Sequence, residues 1–218
     1  MFSSPFPKFI KFYCGKFPSD KNFVLLPEEQ VIADSFRSQK RRAEFTIGRI
    51  YAHEVLSKFG LEGEPILRNP ETREPYWPNS VWGSITHSTG IVAVAVGLKK
   101  EINGVGIDLE SFSSSLDFNI SRHVCVESEL KWLDSLPIKQ AKRALCIIFS
   151  AKESIFKCMY PLSNIYLNFK DAEVTLNESE KKFSFTIFKS FPEKKQFRFP
   201  LHGRYSEFNK MILTSVYV

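Results

Sequence analysis

Two short stretches of this chain hold side chains that could do chemistry together. In Gly104-Val105-Gly106-Ile107-Asp108-Leu109-Glu110, apolar Val105 and Ile107 alternate with Gly106 and lead straight into two acids. A strand there puts Asp108 and Glu110 on one face at its end, because successive side chains of a strand point to opposite faces. The second stretch, Phe149 to Lys157, reads Phe-Ser-Ala-Lys-Glu-Ser-Ile-Phe-Lys. Leu145, Ile148, Phe149 and Phe156 recur around it at helical spacing, with no Gly or Pro from Ala141 to Tyr160. On that helix Phe149, Glu153 and Lys157 stack one above another, with Lys152 beside them. Two acids at a strand end repel unless a cation lies between them. With a third carboxylate from the helix they make an all-oxygen set suited to a hard divalent ion such as Mg²⁺, which shares its shell with water and substrate phosphate. Lysines beside such an ion suit a polyphosphate. Each stretch alone also has an ordinary reading: a solvated strand end, and a Glu153–Lys157 surface pair that stabilises a helix by roughly 0.2 to 0.5 kcal/mol.

Other elements must bring these stretches together. Residues 1 to 26, rich in Phe and Lys, read as an extended lead-in with Phe23 to Leu26 as a possible first strand. Pro27, Glu28 and Glu29 open a helix, with Pro and acids in the first turn where free N–H groups favour them. A longer helix spans about Ser38 to Phe59, with Phe45, Ala52, Val55, Leu56 and Phe59 on one face and Gly60 as its stop. It carries Lys40, Arg41, Arg42 and Arg49, which could equally be idle surface residues. Arg68 to Ser88, with three prolines and two tryptophans, predicts a fixed loop leading into a short strand near Ser84 to Thr86, with His87 at its end. Ile91 to Leu98 is an unbroken apolar run suited to a buried central strand. Asn103-Gly104 is a hairpin signal that would return the acidic strand antiparallel to it.

Ser111 to Asp117 reads as a polar loop, Ile120 to Leu136 as a helix, and Lys139 to Tyr160 as the helix already described, with Pro137 between them. Beyond Pro161 the period changes to two. Ile165 to Phe169, Ala172 to Leu176, Phe183 to Phe188, Phe197 to His202 and Met211 to Val218 predict antiparallel strands.

The chain has 218 residues, 43% of them hydrophobic and 21 of them Phe, enough for one large domain or two packed halves. No apolar run reaches the roughly 18 residues of a membrane span, and the N-terminus lacks the pattern of a signal peptide, so a cytoplasmic location is expected. Cys14, Cys125, Cys146 and Cys158 have no Cys-x-x-Cys spacing, which argues against a zinc site or a disulfide framework and for buried thiols. A net charge of +6 favours an anionic partner: nucleic acid, a membrane surface, a phosphorylated cofactor or an acidic protein. The basic clusters are too short for a nucleic-acid stripe.

Taken together, Gly-Ile-Asp108-Leu-Glu110 and Phe-Ser-Ala-Lys152-Glu153-Ser-Ile-Phe-Lys157 resemble the two signature motifs of the 4'-phosphopantetheinyl transferases. Those are a Gly-Ile-Asp-x-Glu strand and, some forty residues on, a (Trp/Phe)-Ser-x-Lys-Glu-(Ser/Ala)-x-x-Lys helix. Trp77-Pro78 and Gly83-Ser84-Ile85-Thr86-His87 resemble a third segment, found in the short members like enterobactin synthetase component D. Leu26 to Glu29, Lys40 to Phe45 and Gly48-Arg49 extend the likeness, which is weak before Val24 and after Asn164. Phe149 stands where Trp is more frequent.

The resemblance implies an α+β fold, a pseudo-dimer of two α/β halves, each a small antiparallel sheet packed on helices, with residues 1–103 and 104–218 as the halves. It implies transfer of 4'-phosphopantetheine from coenzyme A to a serine of an apo carrier protein, with release of adenosine 3',5'-bisphosphate, in siderophore or other nonribosomal peptide or polyketide assembly. By matching position, Asp108, Glu110 and Glu153 would hold Mg²⁺ or Mn²⁺. Thr86, His87 and Lys152 would lie on the cofactor, the latter two at its pyrophosphate. Arg41 and Arg49, with Arg68 or Arg73, would hold the 3'-phosphate. Glu129 occupies the place of a proposed general base, with a metal-bound water as its competitor, and Lys157 would stabilise the leaving phosphate. The expected partner is an acidic, serine-bearing carrier domain met by a monomer, without nucleic acid or a membrane span. The competing reading is a non-catalytic binder of coenzyme A or a basic nucleic-acid-binding protein.

Overall fold

Helix boundaries follow the chain's own start and stop signals. The computed structural model describes residues 2–17, 24–112, 118–191 and 201–218. Helix α1, Pro27–Asp34, begins with Pro at its first position and Glu28 and Glu29 in its first turn. Helix α2, Gln39–Leu56, is capped by Ser38, whose hydroxyl accepts from the Arg41 backbone N–H. A turn of 3₁₀ helix, Ser57–Phe59, closes on Gly60 in the left-handed conformation.

The first sheet has three strands: β1 (Lys11–Lys16), β4 (Val81–Ser88) and β5 (Ile91–Leu98), with β5 in the middle. Both faces of β5 are buried, as its unbroken apolar run requires. Val92, Val94 and Val96 pack with Ile47, Val55 and Leu56 of α2. Ala93 and Ala95 face Ile107, Leu109 and Leu213 of the second sheet. A small hairpin, β2 (Leu67–Arg68) with β3 (Pro75–Tyr76), stands in the proline-rich segment.

The second sheet has five strands in the order β6-β10-β9-β8-β7. These are β6 (Val105–Ser111), β7 (Ala172–Asn177), β8 (Lys182–Ile187), β9 (Leu201–Phe208) and β10 (Met211–Tyr217). Helix α5, Ile138–Ser163, covers one face and buries Ile147, Ala151, Ile155 and Met159 against it. Helices α3 (Ser121–Val124) and α4 (Glu127–Asp134) pack at its N-terminal end through Val124, Leu133, Ala141 and Leu145. The protein is therefore α+β, two antiparallel sheets each with a helix against it, as expected. All four cysteines are free and buried.

Several sequence expectations are corrected. The acidic strand does not pair with β5, whose two edges are taken by β1 and β4; it pairs with β10 along its whole length. The Asn103-Gly104 turn instead hands the chain from one sheet to the other, both amides bonding to the Val218 carbonyl. The first strand is Lys11–Lys16, inside the expected lead-in, while Val24 to Leu26 form no strand and Phe23 lies outside the described residues. The loop before His87 carries a hairpin and the strand there is longer than expected. The helix expected from Ile120 to Leu136 breaks at Cys125 and Val126, because the Val124 carbonyl accepts from the Lys152 ammonium and the Val126 amide donates to the Glu129 carboxylate.

Helix α5 runs past Pro161, whose missing N–H falls in the last turn, and ends at Asn164 in the left-handed conformation. Ile165 to Phe169 is not a strand: Asn168 instead makes a turn with Asp171. Strand β9 begins at Leu201 and continues to Phe208, beyond the expected end at His202; residues 197–200 and the polar loop residues 113–117 lie outside the described set.

Candidate functional site

The site forms where the two sheets meet. Edge strand β6 would leave amides unpaired toward β4, and β4 supplies hydroxyls for them: Ile107 N–H donates to Ser84 Oγ and Leu109 N–H to Thr86 Oγ1, each at 3.1 Å. Thr86 Oγ1 in turn donates to Asp108 Oδ1 at 3.3 Å. On the other side, Gly106 lets α5 touch the strand, since a Cβ there would lie 2.0 Å from the Ser154 carbonyl oxygen. That contact places Ser150, Glu153 and Lys157 of α5 beside the acids of β6.

Asp108 is buried and fully engaged. Its Oδ1 accepts from Lys157 Nζ at 2.7 Å and its Oδ2 from Ser150 Oγ at 2.8 Å. Glu110 has its carboxyl pushed up to about 7, first by burial, then by the charge of Asp108 and, less, by Glu153. Glu153 is shifted upward by burial and by Asp108, with Lys157 opposing. The three carboxylates thus sense one another, and the Lys157 ammonium is their shared counter-charge. Among the described residues no three His, Cys, Asp or Glu side chains are arranged to hold a metal ion as they stand. Lys157 supplies the positive charge beside Asp108.

His87, at the end of β4, has Nδ1 3.8 Å from Glu44 Oε1 of α2. Burial holds its protonation below the ordinary histidine range, and Lys157 adds to this while Glu44 opposes it. The imidazole is therefore neutral near pH 7, a hydrogen-bonding rather than a charged group.

The arginines gather in a cleft of about 320 Å³ lined by Arg41, Arg49, Arg68, Arg73 and His87. Arg68 lies over the Phe36 ring, its proton held more loosely than usual by burial and by the charges of Arg73 and Arg41. Arg73 is held at the tip of the β2–β3 hairpin, where the Asn69 side chain accepts from the Glu71 and Thr72 amides. Arg49 differs: it is 6% exposed, stacks on Phe45, and donates to the Ile66 and Leu67 carbonyls at 2.8 and 3.3 Å. Four arginines against one lining carboxylate, Glu44, leave the cleft positive, which favours an anion. The cleft shares Arg73, Pro75 and Ile85 with a second cavity of about 580 Å³, walled by Trp77, Trp82, Phe156 and Tyr160 and reaching Lys157.

Lys152 and Glu129 are placed otherwise than their expected roles require. Both are almost wholly buried, joined by a 2.6 Å contact from Nζ to Oε2. Lys152 also donates to the Val124 carbonyl, and Glu129 accepts from the Val126 and Val174 amides. The pair ties α4, α5 and β7 together beneath the site. Thr86 likewise serves Asp108 and Leu109. Ser150, Ser84 and Glu44 were not singled out by sequence reasoning. Ser150 lay inside the helix motif and its polar character on a buried helix face was the available signal; for Ser84 and Glu44 only the register of distant elements reveals the partner.

Comparison with known proteins agrees with the sequence motifs. Residues 27–97 match the model of the 4'-phosphopantetheinyl transferase N-terminal domain, and residues 104–207 that of the 4'-phosphopantetheinyl transferase superfamily. The 4'-phosphopantetheinyl transferase Svp of Streptomyces mobaraensis is 34% identical over 170 residues, covering 77% of this chain and 67% of its own. PptT of Mycobacterium tuberculosis is 33% identical over 173 residues, covering 75% and 70%. Enterobactin synthase component D of Escherichia coli K12 is 33% identical over 150 residues, covering 68% of each chain. The solved holo-[acyl-carrier-protein] synthase of Thermotoga maritima aligns over 53% of this chain and 62% of its own, at 22% identity and a TM-score of 0.43. On its matched motifs and its curated relatives, this chain belongs to the 4'-phosphopantetheinyl transferase superfamily, with the short members like enterobactin synthase component D.

Proposed function

We propose that the protein transfers 4'-phosphopantetheine from coenzyme A to a serine of an apo carrier protein and releases adenosine 3',5'-bisphosphate. The observation that carries this reading is an arginine-lined cleft that adjoins, through Arg73, Pro75 and Ile85, an aromatic cavity reaching Lys157, whose ammonium pairs with Asp108 and is felt by Glu110 and Glu153. Coenzyme A has those chemistries in that order: a 3'-phosphate for Arg41, Arg68 and Arg73, a pyrophosphate for the junction, and an extended amide arm for the cavity. Planar guanidinium groups suit phosphate oxygens. His87 lines the cleft and Lys157 the cavity beside it, where imidazole and ammonium can donate to pyrophosphate oxygens.

The donor set also fits Mg²⁺ or Mn²⁺. The carboxylates of Asp108, Glu110 and Glu153 are the hard, anionic oxygens such ions select, with Asp108 raising the proton affinity of the other two, and the three would hold the ion once Lys157 yields Asp108 to it. Bound there, the ion would neutralise charge on the pyrophosphate as the bridging oxygen departs. In the transfer itself the serine Oγ–P bond forms as the bond to the adenosine 3',5'-bisphosphate oxygen breaks, and the hydroxyl proton passes to solvent water. Lys157, still partly exposed, is placed to stabilise the leaving phosphate. Glu129, saturated by protein donors, positions α4 and α5 in this reading rather than taking the proton.

The proposed division of labour follows the halves. Residues 1–103 supply the arginine cleft and residues 104–218 the acids, a split that the two family matches support. Likeness to enterobactin synthase component D supports a carrier from siderophore or related peptide assembly; in this reading the enzyme acts as a monomer in the cytoplasm. Among the described residues no helix is long and apolar enough to cross a membrane. Incubation with coenzyme A, Mg²⁺ and a panel of apo carriers should raise the carrier mass by one phosphopantetheine. Asp108→Ala or Glu153→Ala should abolish the gain in folded protein and remove Mg²⁺ binding in calorimetry. Undiminished modification by Asp108→Ala would overturn the metal assignment.

A further inference from the structure

Glu29 lies on α1, lines neither the arginine cleft nor the aromatic cavity, and is the one acid among the described residues with 0% exposure. A carboxylate so placed needs partners, and its Oε1 has two: the Ile66 backbone N–H and His53 Nε2, each at 2.8 Å. Its Oε2, and Nδ1 of His53, are buried without a hydrogen-bond partner among the described residues. The same peptide segment is gripped from the other side, where Arg49 Nε donates to the Ile66 carbonyl and Nη2 to the Leu67 carbonyl. Burial loosens the proton of Arg49, lowering its pKa to about 10, and the charge of Glu29 is the principal influence opposing this. Glu29 and Arg49 therefore hold one residue between them, Ile66 itself being fully buried. Strand β2 starts at the next residue and presents Arg68 to the anion cleft.

We infer that Glu29 is a positioning residue for the arginine cleft: with Arg49 it clamps Ile66 from both sides, and so fixes where Arg68 stands. Three facts favour this over a merely structural acid. Its charge is matched to a cleft arginine. Its hydrogen bond is to the residue where that strand begins. Its second carboxylate oxygen has no hydrogen-bond partner among the described residues. A neutral side chain at position 29 would keep the shape but release Arg49 from its counter-charge and loosen Ile66.

The inference rests on the cleft receiving the 3'-phosphate, and the test separates the two. Calorimetry compares coenzyme A with dephospho-coenzyme A, which lacks that phosphate, on wild type and Glu29→Gln. Wild type should prefer coenzyme A, and Glu29→Gln should lose roughly tenfold in that preference, the scale of one charge-assisted hydrogen bond, with dephospho-coenzyme A bound as before. In turnover the variant should raise KM for coenzyme A and leave kcat unchanged. Arg49→Lys, which keeps the charge but cannot reach both carbonyls, should show the same selective loss and serves if Glu29→Gln does not fold. Equal weakening of both ligands, or an unchanged preference in the variants, overturns the role of Glu29. A wild type without any preference overturns the phosphate cleft on which it rests.

Discussion

The carboxyl of Glu110 shows how much of the site's behaviour is electrostatic. Its pKa stands at about 7 against an ordinary 4.5, mostly through burial beside Asp108. Between those values the folded protein binds a proton there that the unfolded chain does not, so this group's contribution to stability falls as pH rises from 4.5 to 7. Above about 7 the penalty is fully present. In metal-free protein Glu110→Gln should therefore stabilise at pH 8, by about 1 kcal/mol after allowance for solvent screening, and have little effect at pH 4.5. Chemical denaturation at the two pH values checks it, and a stabilisation larger at pH 4.5 would sink it. Saturating Mg²⁺ should diminish the difference, because a cation relieves the same repulsion.

Between β6 and α5 the spacing is set by one missing methyl group. Gly106→Ala would drive a Cβ into the Ser154 carbonyl and the Cys158 amide, both backbone atoms that cannot turn aside. The expected cost is about 3 kcal/mol, with loss of transfer, since α5 must move and takes Glu153 and Lys157 away from Asp108. Unfolding midpoints and carrier modification would show it; a variant of unchanged activity would mean that the helix need not touch the strand. Beneath the site, the Glu129–Lys152 pair makes a different demand. Removing either partner alone leaves a buried charge and should cost about 3 to 5 kcal/mol, whereas Glu129→Leu with Lys152→Met should cost much less than the sum. A double-mutant cycle in urea measures that coupling. Additive losses would show that the two residues act separately, and a full-length but inactive Glu129→Gln of unchanged stability would return Glu129 to the role of base.

At the scale of the molecule, two sheets meet through the hydroxyls of Ser84 and Thr86 rather than through a continuous ladder. Asp108 of one sheet is thereby brought within electrostatic reach of His87 at the end of β4 in the other. A net charge of +6 would favour encounter with the acidic carrier proposed above. Association should slow as ionic strength rises, by about tenfold or more between 20 and 200 mM salt, while turnover of bound complex stays unchanged. Stopped-flow binding of an apo carrier checks this, and a rate indifferent to salt would assign recognition to apolar contacts.

Local signals determined a good deal on their own. Pro27 with its acids, Ser38 and Gly60 fixed two helices, because caps act within a few residues. The apolar run from Ile91 to Leu98 announced a strand buried on both faces, and two motifs named the three carboxylates and Lys157. What the sequence could not decide were partners far apart along the chain. Asn103-Gly104 reads as a hairpin, yet the strand after it pairs with β10, since the edges of β5 were already taken. Lys152 and Lys157 look equivalent on one helix, but they differ by more than a turn. One is buried against Glu129, the other beside Asp108, and only the packing of α5 on β6 chooses between them. Glu29 carries no motif beyond a helix start; its grip on Ile66 and its reach to Arg49 exist solely because three distant segments converge in a space too dry to leave a charge alone.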